Sequence, residues 1–389
     1  FGFLGSLFVY IKGTDGHTHL EDVKRYYVDM TFFEFLEGTI KLLTFQSIET
    51  STDLYKHIIS FLAGGFFQIP ELIHVFGGLL LGYFFTKSVL LVLEDKPKQK
   101  LGILLLSFIA LFLIVRSVSA LNSLRMWTGM WVFFYGAYAY AKKKEIKYLW
   151  IIALAVFVHF SYLLFAFPLA AAIVLRKRRK LVVGIFIASF VINVGFQQVF
   201  GLVESTGLYQ DKLKYTVIDQ DMQDKRASEA SKKEGTANFY KEFGTFIYNN
   251  FSILLLSFVL VVVYLKKTNI EYLDFLIAGG LLILTLSNLA ETTSPSIHGR
   301  GYTIAATFLT AAAIQILILK KKLLISKFRH RLIMISFPVF LVSAIPHLLF
   351  NISYALNTIS AFSIVLPFVS WFIGDDDFSV RDLIAFIIF

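Results

Sequence analysis

The segment YLWIIALAVFVHFSYLLFAFPLAAAIVL (148–175) decides how this chain must fold. It is apolar almost throughout, yet it lies between two basic clusters, Lys142/Lys143/Lys144/Lys147 and Arg176/Lys177/Arg178/Arg179/Lys180. Loops rich in lysine and arginine stay on the cytoplasmic side of a membrane. A segment flanked by two of them therefore enters and leaves on the same side. About 28 residues are too few for two full spans, which need about 20 each. The spacing predicts two short helices meeting at His159-Phe160-Ser161, partway into the membrane. Such a break is tolerated only where it faces protein or a water-filled cavity. The plainer alternative is one long tilted span, with 176–180 an exception to the charge rule.

The composition around that segment fits a membrane setting. Of 389 residues, 57% are hydrophobic, only 16% are charged, and 42 are phenylalanine. A soluble domain of this size needs more charge to cover its surface. Apolar runs of spanning length recur along the chain, so it reads as all-α: a polytopic transmembrane helical bundle of about 10–12 membrane segments. It forms a single integral membrane domain over 1–389. The net charge of +10 sits mainly in short loops, where it sets topology; it does not point to nucleic acid. The absence of cysteine excludes disulfides, Cys-ligated zinc and thiol nucleophiles. The opening FGFLGSLFVYI (1–11) is too short to span and reads as the end of a longer first helix, and both ends of the chain look incomplete.

Further basic groups at Lys96/Lys98/Lys100, Lys266/Lys267 and Lys320–Arg331 complete the cytoplasmic side. Spans are then expected near 71–93, 101–117, 124–141, 181–199, 244–265, 270–289, 303–319, 332–350 and 355–373. Four segments fall outside. The first, 12–69, is an extracytoplasmic segment whose Tyr55–Ile69 stretch forms an interfacial helix stopped by Pro70. The second is the tight turn at 118–124. The third, 200–243, is polar and nearly charge-balanced, with the length of an extracytoplasmic loop or cap. The fourth is the turn AETTSPSIHGRGY (290–302).

Chemistry gathers on that outer face. Arg125 opens its helix there, Arg116 ends the preceding span, and Arg300 precedes another span beside His298. Arginine is disfavoured at the positive N-terminal end of a helix dipole. Several arginines on the side that usually lacks them call for an anion, and guanidinium groups with helix N-termini suit a phosphate. The plainer account is snorkelling to lipid phosphates, or pairing of Arg125 with a carboxylate such as Glu291. His159 sits at the expected break, where an imidazole within reach of water can act as a general base, or can bond exposed carbonyls. His74 and His347 read as packing groups. DGHTHLED (15–22) could hold a divalent metal, but His-x-His alone is weak and a solvated loop fits as well. GDDDF (374–378) reads as solvated charge.

The stretch LRMWTGMWVFFYGAYAYAKKKEIKYLWIIALAVFVHFSYLLFAFPL (124–169) resembles the central signature of the EpsG family of Wzy-like exopolysaccharide polymerases. An arginine opens one helix, a short basic loop follows, and the next helix leads to His-x-Ser. Arg125, the loop 142–147, His159 and Ser161 match that order. GTDGHTHLEDVKRYY (13–27) resembles the family's early Gly-x-Asp…Tyr segment and matches Asp15. STDLYKHIISFLAG (51–64) resembles the acid-x-x-Tyr start of its interfacial helix and matches Asp53 and Tyr55 more loosely. Met-Trp-Thr-Gly after Arg125 departs from the smaller residues of that pattern.

The resemblance implies a GT-C-like fold in a bacterial cytoplasmic membrane, and polymerisation of a polyprenyl-diphosphate-linked oligosaccharide at the outer leaflet. The arginines would neutralise the diphosphate leaving group and His159 or His298 would take the acceptor's proton. Arg116, Asp15, Asp53, Tyr55, Ser161 and Glu291 would help bind the substrate. No metal or cofactor is then required, and other components of a polysaccharide assembly machinery are the expected partners. A flippase for lipid-linked oligosaccharide, a membrane acyltransferase acting on polysaccharide and a non-catalytic membrane subunit are the competing readings.

Overall fold

The computed structural model describes residues 1–10, 14–191, 239–361 and 378–388, apart from 45, 47, 49–50, 52, 97–100, 115, 117, 267, 269, 292–293, 320–322 and 324–325. Most of the expected cap (200–238), most of the expected last span (362–373) and the start of the acidic GDDDF run lie outside these residues. The described regular structure is helical, with three isolated bridges, Phe8–Ile359, Ile48–Ser51 and Ser360–Ser379.

Among the described residues, five helices are long and apolar enough to cross a membrane. They are Leu72–Leu93 (α5), Phe243–Tyr264, Glu271–Leu289 (α13), Pro295–Ile318 (α14) and Lys327–Asn357 (α15). The second is built from α11 (Phe239–Ile247), a π-helical turn (Tyr248–Ser252) and α12 (Ile253–Tyr264). Shorter apolar helices accompany them: α6 (Ile103–Ile114), α8 (Lys147–Val158) and α9 (Tyr162–Leu175). Between these lies α7 (Leu124–Lys143), whose 20 residues reach about 30 Å, the thickness of the hydrocarbon core.

This differs from the expected row of uniform spans in two places. The 101–117 span is a helix of only 12 residues, followed by Arg116 in a left-handed turn, φ 57°. Farther on, α15 runs unbroken for 31 residues through Pro338 and Pro346. The sequence suggested that the helix would end between 350 and 355. Proline inside an apolar helix loses one backbone bond, which neighbours in a membrane protein can compensate.

The segment 148–175 does contain two helices, and the chain leaves helical geometry at His159, φ −153° and ψ 119°. Its two ends return to one face, because Glu271 receives Lys144 (3.1 Å), Lys177 (3.1 Å) and Arg176 (3.6 Å). Those three cations flank the segment on both sides. At 1.5 Å per residue the helices reach about 18–21 Å from that face, short of the roughly 30 Å that a full span of the hydrocarbon core requires. α8 packs closely on α7: a Cβ at Gly136 would stand 2.9 Å from the Ile152 nitrogen and 3.0 Å from the Tyr148 carbonyl oxygen. Nearby, α10 (Arg179–Ala188) is tied to α13 through Arg179 and the buried Asp274, which also accepts a bond from Thr268. α13 and α14 form the best-buried pair of spans, at 78% and 83%.

The N-terminal side of the bundle is helical as well. A short α1 (Gly2–Ser6) packs on α5, and α2 (Asp15–Tyr26), α3 (Phe32–Leu43) and α4 (Leu54–Ser60) follow. α4 continues as a π-helical turn, Phe61–Phe66, so the stretch expected to be helical at Tyr55–Ile69 is helical but stops a few residues short of Pro70. The helix α3 was not anticipated. A capping box joins Thr31 and Glu34 at its start, and this local pattern could have revealed it. Near the C-terminus, α16 (Val380–Ile388) packs against α15.

Candidate functional site

Asp53 stands just before α4 in extended conformation, but its side chain does not cap that helix. Its Oδ2 accepts a hydrogen bond from Arg125 Nη1 at 2.8 Å, and its Oδ1 accepts the backbone N–H of Phe160 at 3.1 Å. One buried carboxylate thus fastens the start of α4, the N-terminal end of α7 and the break between α8 and α9. A helix break in apolar surroundings exposes backbone N–H groups that must find partners. Phe160 finds Asp53. The next N–H, of Ser161, donates to His159 Nδ1 at 3.2 Å.

That second bond fixes the state of the histidine. A backbone N–H can only donate, so Nδ1 of His159 is the acceptor and the neutral ring carries its proton on Nε2. Ser161 Oγ lies 3.0 Å from the same Nδ1 and 3.8 Å from Met126 Sδ. The ring is buried and lies edge-on to Tyr162, whose hydroxyl donates to the Met126 carbonyl at 2.8 Å. His298 is in the opposite state. Its Nδ1 lies 3.0 Å from the Ser287 carbonyl, which can only accept, so the lone pair of the neutral ring is on Nε2.

The cations fall into two groups. Arg125 and Arg300 share an electrostatic environment with Asp53, Asp15 and Tyr162. Arg300 has no carboxylate within ion-pair distance among the described residues, whereas Arg125 has Asp53. Lys56, one turn into α4, belongs here too. Its ammonium pairs with Asp22 of α2 and lies within electrostatic reach of Arg125 and Asp53. Burial lowers its pKa, as does Arg125, while Asp22 opposes the shift. Sequence reading passed over Lys56. Its signal was a lone lysine inside an apolar helix of the segment expected outside, where the charge rule makes lysine scarce. Asp15 joins from the exposed start of α2, where its Oδ2 accepts the Ser123 hydroxyl at 2.7 Å, just before α7.

Arg116 belongs to the second group. Its guanidinium lies 4.1 Å over the Trp127 ring and its charge is felt by Tyr248, Tyr354 and His347. Asn122 links this group to the first, since it bonds the Tyr354 hydroxyl and accepts the Gly16 N–H at 3.0 Å. His298 also points away. It stands two residues from Arg300, about 200° around the helix, and is held by α13. Tyr55 is buried, with its hydroxyl donating to the Gly77 carbonyl at 3.4 Å. Glu291 is exposed at the end of α13 and Arg125 pairs with Asp53 in its place.

His74 stacks on Phe8 at 4.0 Å and His347 on Tyr248 at 4.1 Å, so both pack as expected. The DGHTHLED stretch is the first part of α2, with His19 buried and Asp22 paired to Lys56. Burial holds His19 well below the usual imidazole range, with Arg125 and Lys56 adding to the shift. Among the described residues, no three His, Asp or Glu side chains are grouped to hold a metal ion.

Comparison with protein-family models, with curated proteins and with solved structures finds no match to this chain.

Proposed function

We propose that this chain is a glycan polymerase of the membrane's outer face, extending a polyprenyl-diphosphate-linked oligosaccharide with another lipid-linked unit. The observation that carries the reading is the junction at Asp53, with the half-buried Arg300 in its field but in no ion pair among the described residues. A guanidinium in that position is stabilised by a bound anion, and its planar fork suits phosphate oxygens. The resemblance to the EpsG polymerases gives the anion a context: the diphosphate of a bacterial lipid carrier, handled beside other components of a polysaccharide assembly machinery.

In the reaction, the acceptor hydroxyl oxygen bonds to the anomeric carbon of the donor sugar as the bond from that carbon to the diphosphate oxygen breaks. The electron pair leaves with the diphosphate. Arg300 and the exposed edge of Arg125 meet the charge that grows there. His159 carries its proton on Nε2 and serves as a hydrogen-bond donor to the leaving group. To act as a base at Nε2, it would have to give up the Ser161 N–H bond. The hydroxyl proton passes to the departing diphosphate. Arginine supplies the positive charge, so the reading requires no metal or cofactor.

The test is extension of purified lipid-linked oligosaccharide by the protein in vesicles. Arg300→Gln and His159→Ala are each expected to slow extension by about 10²–10³. Variants that extend at the native rate would refute the assignment. A native protein that moves the lipid-linked unit across the bilayer but never lengthens it is a flippase. Transfer of a labelled acyl group in place of sugar marks an acyltransferase.

A further inference from the structure

Helix α3 and the π-helical end of α4 enclose a groove of about 550 Å³, lined by Met30, Phe32, Phe35, Ile58, Leu62 and Phe66 among others. Phe35 stacks on Phe61 at 4.2 Å and on His57 at 4.9 Å, so the two helices are fixed to each other while the groove between them stays open. The volume falls within the roughly 300–1,000 Å³ of ligand sites, but such sites carry a few placed polar groups. This lining is apolar side chains throughout, with Gly65. A lining of this kind suits a hydrocarbon chain.

The surroundings say where that chain comes from. One side of α3 exposes Phe33 (82%), Leu36, Ile40 and Leu43. The adjacent side carries Glu34, Glu37 and Lys41, the last two paired at 2.6 Å. From Phe66 at its rim the exposed surface runs on to Phe67 and Ile69, and Phe67 packs on Phe76 of α5 at 5.6 Å. The apolar surface therefore continues onto the exposed Leu79 and Tyr83 of a membrane-crossing helix. A helix with separate apolar and charged sides, joined to a lipid-facing surface, lies in the membrane interface.

We propose that α3 lies in the outer leaflet and that the groove seats one acyl chain of a bilayer phospholipid. The groove lining on α4 and its π-helical end runs from Ile58 to Phe66, about 8 to 20 Å along the helix from Asp53, and none of the charged residues of the Asp53 cluster lines it. The site is therefore separate from the candidate diphosphate cluster, and it holds whether or not the chain is a polymerase.

The cysteine-free sequence makes the test direct. Phe33→Cys and Lys41→Cys are compared in vesicles of phosphatidylethanolamine and phosphatidylglycerol with a membrane-impermeant maleimide. Lys41→Cys should react at least about tenfold faster, because the Phe33 side is in lipid; equal rates overturn the placement of α3. A phospholipid with a diazirine on its acyl chain should crosslink to the α3–α4 peptides. Leu62→Trp or Ile58→Trp, which enlarge side chains lining the groove, should cut those adducts several-fold while adducts on α15 persist. Adducts unchanged in both variants overturn the acyl-chain site. So does their displacement by equimolar polyprenyl phosphate, which would give the groove to that lipid.

Discussion

Asparagine at position 53 changes one charge and almost no volume at the point where three helices meet. The native carboxylate holds Arg125 Nη1 at 2.8 Å and the Phe160 N–H at 3.1 Å, one on each oxygen. The Asp53 side chain is 1% exposed and that of Arg125 is 29% exposed. In Asp53→Asn one oxygen remains. If it keeps Phe160, the amide NH₂ faces the guanidinium, donor against donor. Breaking a buried pair by removing one partner costs about 3–5 kcal/mol. Water reaching the open edge of Arg125 lowers that to about 2–3 kcal/mol for asparagine. Asp53→Ala loses both acceptors and costs about 4 kcal/mol. A cycle combining Asp53→Ala with Arg125→Ala isolates the pair and should return a coupling of about 2 kcal/mol. The assay is reversible denaturant unfolding in micelles, read together with hydrogen exchange at the Phe160 amide, which should quicken in both Asp53 variants. A coupling below about 0.5 kcal/mol, with Phe160 exchange unchanged, would show that the carboxylate is not what joins these elements.

Two acids on α13 should behave oppositely in the same unfolding assay. Glu271→Ala removes three ion pairs but costs under about 1 kcal/mol, because Glu271 is 44% exposed and surface pairs contribute little. Asp274→Ala leaves the Arg179 charge and Thr268 without their buried partner and costs about 3–4 kcal/mol; the reverse order would contradict the burial seen here. Gly136→Ala pushes a methyl into the α8 backbone and should lower stability by about 1–3 kcal/mol, read as a lower thermal midpoint. His19 is neutral in the fold and its pKa is depressed from 6.5. Below that pH the unfolded imidazole binds a proton that the buried one refuses. Stability then falls by about 1.4 kcal/mol per pH unit, a slope that His19→Gln should remove.

The sequence disclosed what depends on long-range electrostatics and on length. The basic clusters at 142–147 and 176–180 required a segment that returns to its own side, and Glu271 holds both ends of it. Asp53, Arg125 and Phe160 were each flagged in separate stretches, but no periodicity could say that one carboxylate meets the other two. Side-chain direction was illegible. Arg116 and Arg300 look alike in sequence, yet one lies over Trp127 and the other faces the Asp53 cluster. The two histidines likewise differ only by the backbone group their Nδ1 atoms meet, a fact created by the turn at 159–161 and by the end of α13. The end of the span expected at 332–350 was misplaced, because one continuous α15 runs on to Asn357. The helix α3 went unassigned within the 12–69 segment, since the run is short and its partner, Phe61, is far along the chain.

The fastening at Asp53 also imposes an order on biosynthesis. Its two partners are encoded 72 and 107 residues later, so the knot cannot tighten until the ribosome has delivered the hairpin and the bilayer has accepted it. Until then the aromatic helices upstream wait with their greasy sides uncovered. Membrane lipid is the shelter at hand, which makes docking of the N-terminal region a late event in the birth of the protein.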